Sequence, residues 1–177
     1  MVEQAARGAA TGAALAEALT HEHHEIDAGI GAFAASLDAA AAGGDPIEVD
    51  VLRGALDGLR RHIYLEEVFL FPPIRAAGLM MPIMVMLREH AELWQRMDRI
   101  EQLVDAQSAD PAESADRRTT LITTCRELLA LLDQHNSKEE PIIYPRAGVD
   151  LSGKQREELA TLLQTGRTPE GWVCQGS

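Results

Sequence analysis

The chain has 177 residues, which suits one domain with an ordinary core. It is 46% hydrophobic but only 4% aromatic, and alanine and leucine prevail over β-branched residues, so helix is the default. Lys and Arg number 16 against 28 Asp and Glu; the resulting charge of −12 repels phosphate backbones and excludes nucleic acid as an expected partner.

Residues 1–12, opening "MVEQAARGAA", carry an acid early and no Leu/Val-rich core, and are expected to form a flexible N-terminus that is not a signal peptide. A first helix is predicted over 13–41, closed by "AAAAGG". "DPIE" from Asp45 offers an Asp N-cap, Pro at the first helical position and Glu behind it, and opens a second helix over 46–71. Pro72 and Pro73 are expected to end that helix. A turn from Gly78 to Pro82 leads to a third helix over 82–106. After the polar linker "DAQSAD", "DPAE" from Asp110 repeats the start signature and opens a fourth helix over 111–145. A shorter fifth helix is expected from near Ser152 to Gly166. The tail "TPEGWVCQGS" looks loosely ordered, and its Trp172 and Cys174 are read as an inert segment packed on the helices in preference to a docking or redox device. Short connections favour antiparallel neighbours, so the expected fold is all-α: an up-down-up-down four-helix bundle over 13–147, with a short fifth helix and tail over 148–177. No apolar stretch approaches the length that spans a bilayer. Two cysteines, Cys125 and Cys174, do not make a disulfide scaffold, and a cytoplasmic protein with reduced thiols is expected.

The chain repeats itself. "HIYLEEVFLFP" from His62 and "HNSKEEPIIYP" from His135 share His-x-x-x-Glu-Glu and an eleventh-position proline, 73 residues apart. "EHHEIDAGI" from Glu22 parallels "EHAELWQRM" from Glu89, with an offset of 67. Helices one and two are therefore expected to relate to helices three and four by a pseudo-two-fold axis, with a shared site on it.

The repeated residues fall where a helix should be apolar. Steps of three and four give Leu19, His23, Ile26, Ile30 in the first helix and Leu52, Leu56, Leu59, His62, Glu66, Phe69 in the second. They give Ile83, Leu87, His90, Trp94, Met97 in the third and Leu121, Cys125, Leu128, Leu132, His135, Glu139 in the fourth. A step of four returns to within about 40° of the histidine and a step of five lands about 140° away, so Glu66 and Glu139 share the histidine faces and Glu67 and Glu140 do not. Burying an unpaired carboxylate costs several kcal/mol or more, and no Lys or Arg lies on these stripes. A cation from outside is the economical partner: His23, His62, Glu66, His90, His135 and Glu139 are read as one polynuclear metal site. His21 and His24 lie off the stripe and are read as surface groups, while Trp94, Met97 and Cys125 are read as core. Glu22, Glu67, Glu89 and Glu140 are adjacent acids able to orient the imidazoles, though such neighbours are more often plain solvated residues.

With "EHHEI", "HIYLEEVFLFP", "EHAEL" and "HNSKEEPIIYP" in that order over residues 15–147, the chain resembles the hemerythrin-like, or HHE cation-binding, family. The resemblance implies a non-haem di-iron centre: two Fe ions bridged by an oxo or hydroxo group and by the carboxylates of Glu66 and Glu139, with His23, His62, His90 and His135 as further ligands. The chain departs from the oxygen-carrying hemerythrins, which resemble His-x-x-x-His on helix three where this chain has Trp94 after His90, and His-x-x-x-x-Asp on helix four where it has Glu139 and then Glu140, the runner-up ligand. Losing that extra imidazole leaves an open position on each iron. A tyrosine, Tyr64 or Tyr144, is a less favoured added donor because neither lies on a stripe.

The expected function is therefore reaction with small oxidants (hydrogen peroxide, dioxygen or nitric oxide), most concretely catalase-like peroxide decomposition by a monomer or homodimer. The alternative is oxygen or nitric oxide sensing or binding, or iron donation for iron–sulfur repair, without turnover. No cysteine precedes Cys125, which counts against a repair subtype carrying an N-terminal cysteine module. A structural zinc or manganese site is the third reading, because imidazole and carboxylate donors do not by themselves select iron.

Overall fold

The computed structural model describes residues 2–41, 49–106 and 111–176, with side chains described for 12–40, 49–106 and 113–176. The expected caps at Asp45 and Asp110 lie outside the described residues. The fold is helical: α1 (Val2–Ala41), α2 (Val49–Leu65), α3 (Phe71–Ala76), α4 (Met80–Asp105), α5 (Pro111–Ile142), α6 (Ala147–Asp150) and α7 (Gly153–Thr165). α1 starts at Val2 and not at 13. α7 starts where the sequence placed it. Ser152 caps it reciprocally with Gln155: the Gln155 amide donates to Ser152 Oγ (3.3 Å) and the Ser152 amide donates to Gln155 Oε1 (2.8 Å).

Pro72 and Pro73 do not end the second helical run as expected. A π-helical segment, Glu66–Leu70, follows α2, and the Phe71 amide donates to Glu66 O five residues back. The wider turn resets the register, so the prolines fall in the first turn of α3, where a missing amide hydrogen costs little. Pro141 has no such reset. α5 stops at Ile142, three residues short of expectation, and passes into a tight 3-10 turn at Tyr144–Arg146.

Two apolar clusters form the core. One joins Ile26, Ile30, Phe33 and Leu37 of α1 to Leu52, Leu56 and Leu59 of α2, Met97 and Ile100 of α4, and Leu121, Leu128 and Leu132 of α5. The other joins Leu15 and Leu19 to Leu65, Leu70, Phe71, Ile74, Ile83, Met86, Ile143 and Tyr144, with Leu159 of α7. Each fully buried Leu, Ile or Phe stabilises the fold by about 1.5–3 kcal/mol. Between the two clusters lies a layer of buried histidines and glutamates.

Candidate metal centre

Each of α1, α2, α4 and α5 sends one histidine into that layer: His23, His62, His90 and His135, all at most 2% exposed. Glu66, at the first position of the π-helical segment, and Glu139, near the end of α5, are fully buried beside them. The six form two groups of four that share both glutamates. His23, His62, Glu66 and Glu139 bring one ligand atom each to within 4.8 Å of one another, and so do Glu66, His90, His135 and Glu139. An ion with nitrogen and oxygen ligands at about 2.1 Å would hold opposite donors about 4.2 Å apart, so each group fits one ion after slight contraction. Glu66 faces both groups, with Oε1 3.0 Å from His62 Nε2 and Oε2 3.3 Å from His90 Nε2. Glu139 Oε2 lies 3.0 Å from His135 Nε2 and 3.6 Å from His23 Nε2.

The imidazoles are aimed by four acids. His62 Nδ1–H donates to Glu22 (2.9 Å), His90 Nδ1–H to Glu67 (2.9 Å), His135 Nδ1–H to Glu89 (3.1 Å) and His23 Nδ1–H to Glu140 (3.0 Å). In every pair the acid comes from the neighbouring helical run, so the pairs pass from α1 to α2 to α4 to α5 and back to α1. These are the four adjacent acids named from the sequence as able to orient the imidazoles, and none is merely a solvated neighbour. Glu140, the runner-up ligand, aims His23 and belongs to neither group. Glu22 is held in turn by Arg61 and Glu89 by Lys138. With all four Nδ1 protons directed outward, the four Nε2 lone pairs and the Glu66 and Glu139 oxygens face inward. Acceptors 3.0 Å apart repel unless a proton or a cation lies between them. Glu66 Oε2, His90 Nε2 and Glu139 Oε1 are buried without a hydrogen-bond partner, an arrangement that suits a metal donor set and little else.

The same demand for positive charge appears in the ionisation of the metal-free protein. Burial opposes an imidazolium at His62, but the carboxylates of Glu66 and Glu22 outweigh it and lift the group to about 10. His135 is lifted to about 10 against burial by Glu139 and Glu89, and His90 is lifted by Glu66 and Glu67. His23 moves down, because burial and the nearby His62 exceed the pull of Glu66 and Glu139.

Tyr144 is the residue the helical projection passed over. Its hydroxyl lies inside the first group, 2.8 Å from His23 Nε2 and 3.0 Å from His62 Nε2, and it donates to Glu66 Oε1 (2.8 Å) with Glu139 Oε2 at 3.2 Å. Its counterpart in the repeat is Phe71, which stacks on His90 with ring centroids 5.4 Å apart; the Tyr144 and His23 rings are also 5.4 Å apart. The repeated eleven-residue block held this signal, since position ten is Phe in one copy and Tyr in the other. Tyr64 stays outside and packs on Phe69 and Trp172. His21 and His24 are exposed, and Cys125 is buried in apolar core, where burial pushes its thiol up to about 11. Trp94 is core as expected, under the Arg60 guanidinium and against Trp172.

Comparison with known proteins agrees with this geometry. The family model for the hemerythrin HHE cation binding domain matches residues 14–147. Among curated proteins, the iron-sulfur cluster repair proteins YtfE of Yersinia pestis (strain Pestoides F) and Yersinia pseudotuberculosis (serotype O:1b) are each 36% identical over 103 residues, covering 54% of this chain and 44% of the relative. The chain thus spans less than half the length of the curated relatives it matches. No solved structure matches it. Among the described residues, no helix is long and apolar enough to cross a membrane. The family match covers all four histidines and both shared glutamates, and on that extent the chain belongs to the hemerythrin HHE cation-binding family.

Proposed function

We propose that the chain holds two irons, one by His23, His62, Glu66 and Glu139 and the other by His90, His135 and the same two glutamates. We propose further that it donates iron or binds a diatomic ligand in iron–sulfur cluster repair, without turning over an oxidant. The observation that carries this reading is the pair of interlocked four-donor groups. The name of the YtfE relatives supports the repair role. When bound, the iron pair supplies one-electron chemistry toward dioxygen or nitric oxide and a reserve of iron to be given up. Glu22, Glu67, Glu89 and Glu140 hold the imidazoles with Nε2 inward and strengthen them as donors. Tyr144 brings an oxygen to the first group only; a nearby cation favours loss of its proton. The pairing of opposite ends of successive helices in the two apolar clusters supports an up-down-up-down course, with 13–147 as the metal-holding unit. The buried Cys125, which forms no disulfide, fits a cytoplasmic location.

Peroxide decomposition, expected first from the sequence, takes second place. It calls for an open position on each metal, and the Tyr144 hydroxyl stands within one of the two groups. The test runs both activities on one sample of iron-loaded protein. Cluster recovery in a nitric oxide-damaged iron–sulfur protein should exceed that with the same amount of free ferrous iron, while oxygen release from peroxide should not exceed the free-iron rate. The opposite pair of results would reinstate peroxide decomposition.

A further inference from the structure

The tail after α7 does not lie loose on the surface. Trp172 is wedged between Tyr64 and Trp94, with ring centroids at 5.1 and 5.6 Å and both contacts edge-on. Cys174 is 3% exposed within the first apolar cluster. Gly176 passes so close to α4 that a Cβ there would meet Ala91 Cβ at 2.7 Å, so the approach requires glycine. Between these anchors the amide of Gln175 donates to Glu67 Oε2 at 2.9 Å. The other oxygen of Glu67 accepts from His90 Nδ1 at 2.9 Å. Glu22 and Glu89 are held by the side chains of Arg61 and Lys138, whereas Glu67, 2% exposed, is held by a backbone amide of the tail. A cavity lined by Glu67, Phe71, Leu87 and Gln175 opens beside this contact, so the tail borders an approach to Glu67. The tail residues Trp172, Cys174, Gln175 and Gly176 lie beyond the family match, which ends at residue 147, whereas Glu67 and His90 lie within it.

We infer that Trp172–Gly176 is a positioning strap: through the Gln175 amide and Glu67 it fixes His90 and governs how readily the iron held by His90 and His135 is released. The inference rests on the two-iron reading above. The strap acts on one donor group only, because the aim of His62 is set by Glu22 and Arg61. Gln175 is a positioning residue through its backbone, so its side chain is dispensable.

The test compares wild type, Gln175→Pro, which deletes the amide hydrogen, Gln175→Ala, which keeps it, and a chain stopped after Gly171. Release of iron from the loaded proteins to a ferrous chelator is followed in time. In the metal-free proteins, solvent exchange of the His90 and His62 Nδ1 protons is read by NMR. One of the two irons should leave about 10-fold faster or more from Gln175→Pro and from the shortened chain, the second iron and Gln175→Ala remaining at wild-type rates. The His90 proton should exchange faster in the same two proteins, and the His62 proton should not. Should the shortened chain fail to fold, Gln175→Pro decides alone. Two irons bound but released at equal rates from Gln175→Pro and Gln175→Ala would overturn the strap and leave the two-iron reading standing. Failure of the wild type to bind two irons would overturn both.

Discussion

The two halves of the site are built alike and finished differently. On the side of His23 and His62, Tyr144 places a hydroxyl among the donors, and a cation holds the acid behind His62. On the side of His90 and His135, the matching ring is Phe71, and the acid behind His90 is held by the tail. On the two-iron proposal, the repeat would supply equal donors to both ions, and the finishing contacts would make the ions unequal. A symmetric pair would react as one unit. An unequal pair would let one iron stay while the other is exchanged or meets a ligand.

The heaviest blow to both halves at once is Glu66→Ala, because that carboxylate faces both groups. Iron affinity should fall by more than about 100-fold, read as iron per chain after gel filtration, since even residues one step removed from a metal are worth 10–100-fold. Glu22→Gln and Glu67→Gln should each weaken iron by about 10–100-fold, but on opposite halves: the first loosens the His62 side and the second the His90 side. Loss of both irons from either variant would mean that the halves are not separable. Tyr144→Phe makes the halves alike. Two irons should remain while the phenolate-to-ferric visible absorption disappears, and the metal-free protein should lose about 1–3 kcal/mol with a buried hydrogen-bond partner gone.

A pH series sharpens the contrast between metal-free and loaded protein. His62 and His135 rise from 6.5 to about 10 in the folded metal-free chain, so their stabilisation is complete below pH 6.5 and is lost as pH climbs through about 10. The iron-loaded chain should behave in the opposite sense, weakening as pH falls, because its ligands must be unprotonated. Urea midpoints at pH 6, 8 and 10, with and without iron, should diverge with rising pH. The smallest effect belongs to His21→Ala. The exposed His21–Glu25 contact of 3.5 Å should change stability by no more than about 0.5 kcal/mol and leave iron content untouched.

The convergence of the buried histidines and glutamates was legible because they obey helical periodicity on their own helices: His62 and Glu66 lie one turn apart on the same stripe, and so do His135 and Glu139. The outer acids were legible as groups able to orient imidazoles, but not their partners, because each serves a histidine on another helix, to which its own stripe is blind. Tyr144 was named but disfavoured because it lies past Pro141, where the helix tightens and a projection at 100° per residue no longer holds. Trp172 and Cys174 marked the tail as packed on the helices, but its hold on Glu67 left no trace because that contact is made by a main-chain amide, which every residue but proline possesses. Pro72 and Pro73 read as a stop because nothing in their chemistry announces the π-helical reset before them.

The acid–imidazole pairs repeat after every two helical runs, so two copies of a half-length ancestor could have closed the same circle as a homodimer. Such an ancestor could hold only matched ions, since any change in one copy would be a change in both. In a single chain each copy can differ, and the single oxygen atom that separates Tyr144 from Phe71 is a difference no such homodimer could carry.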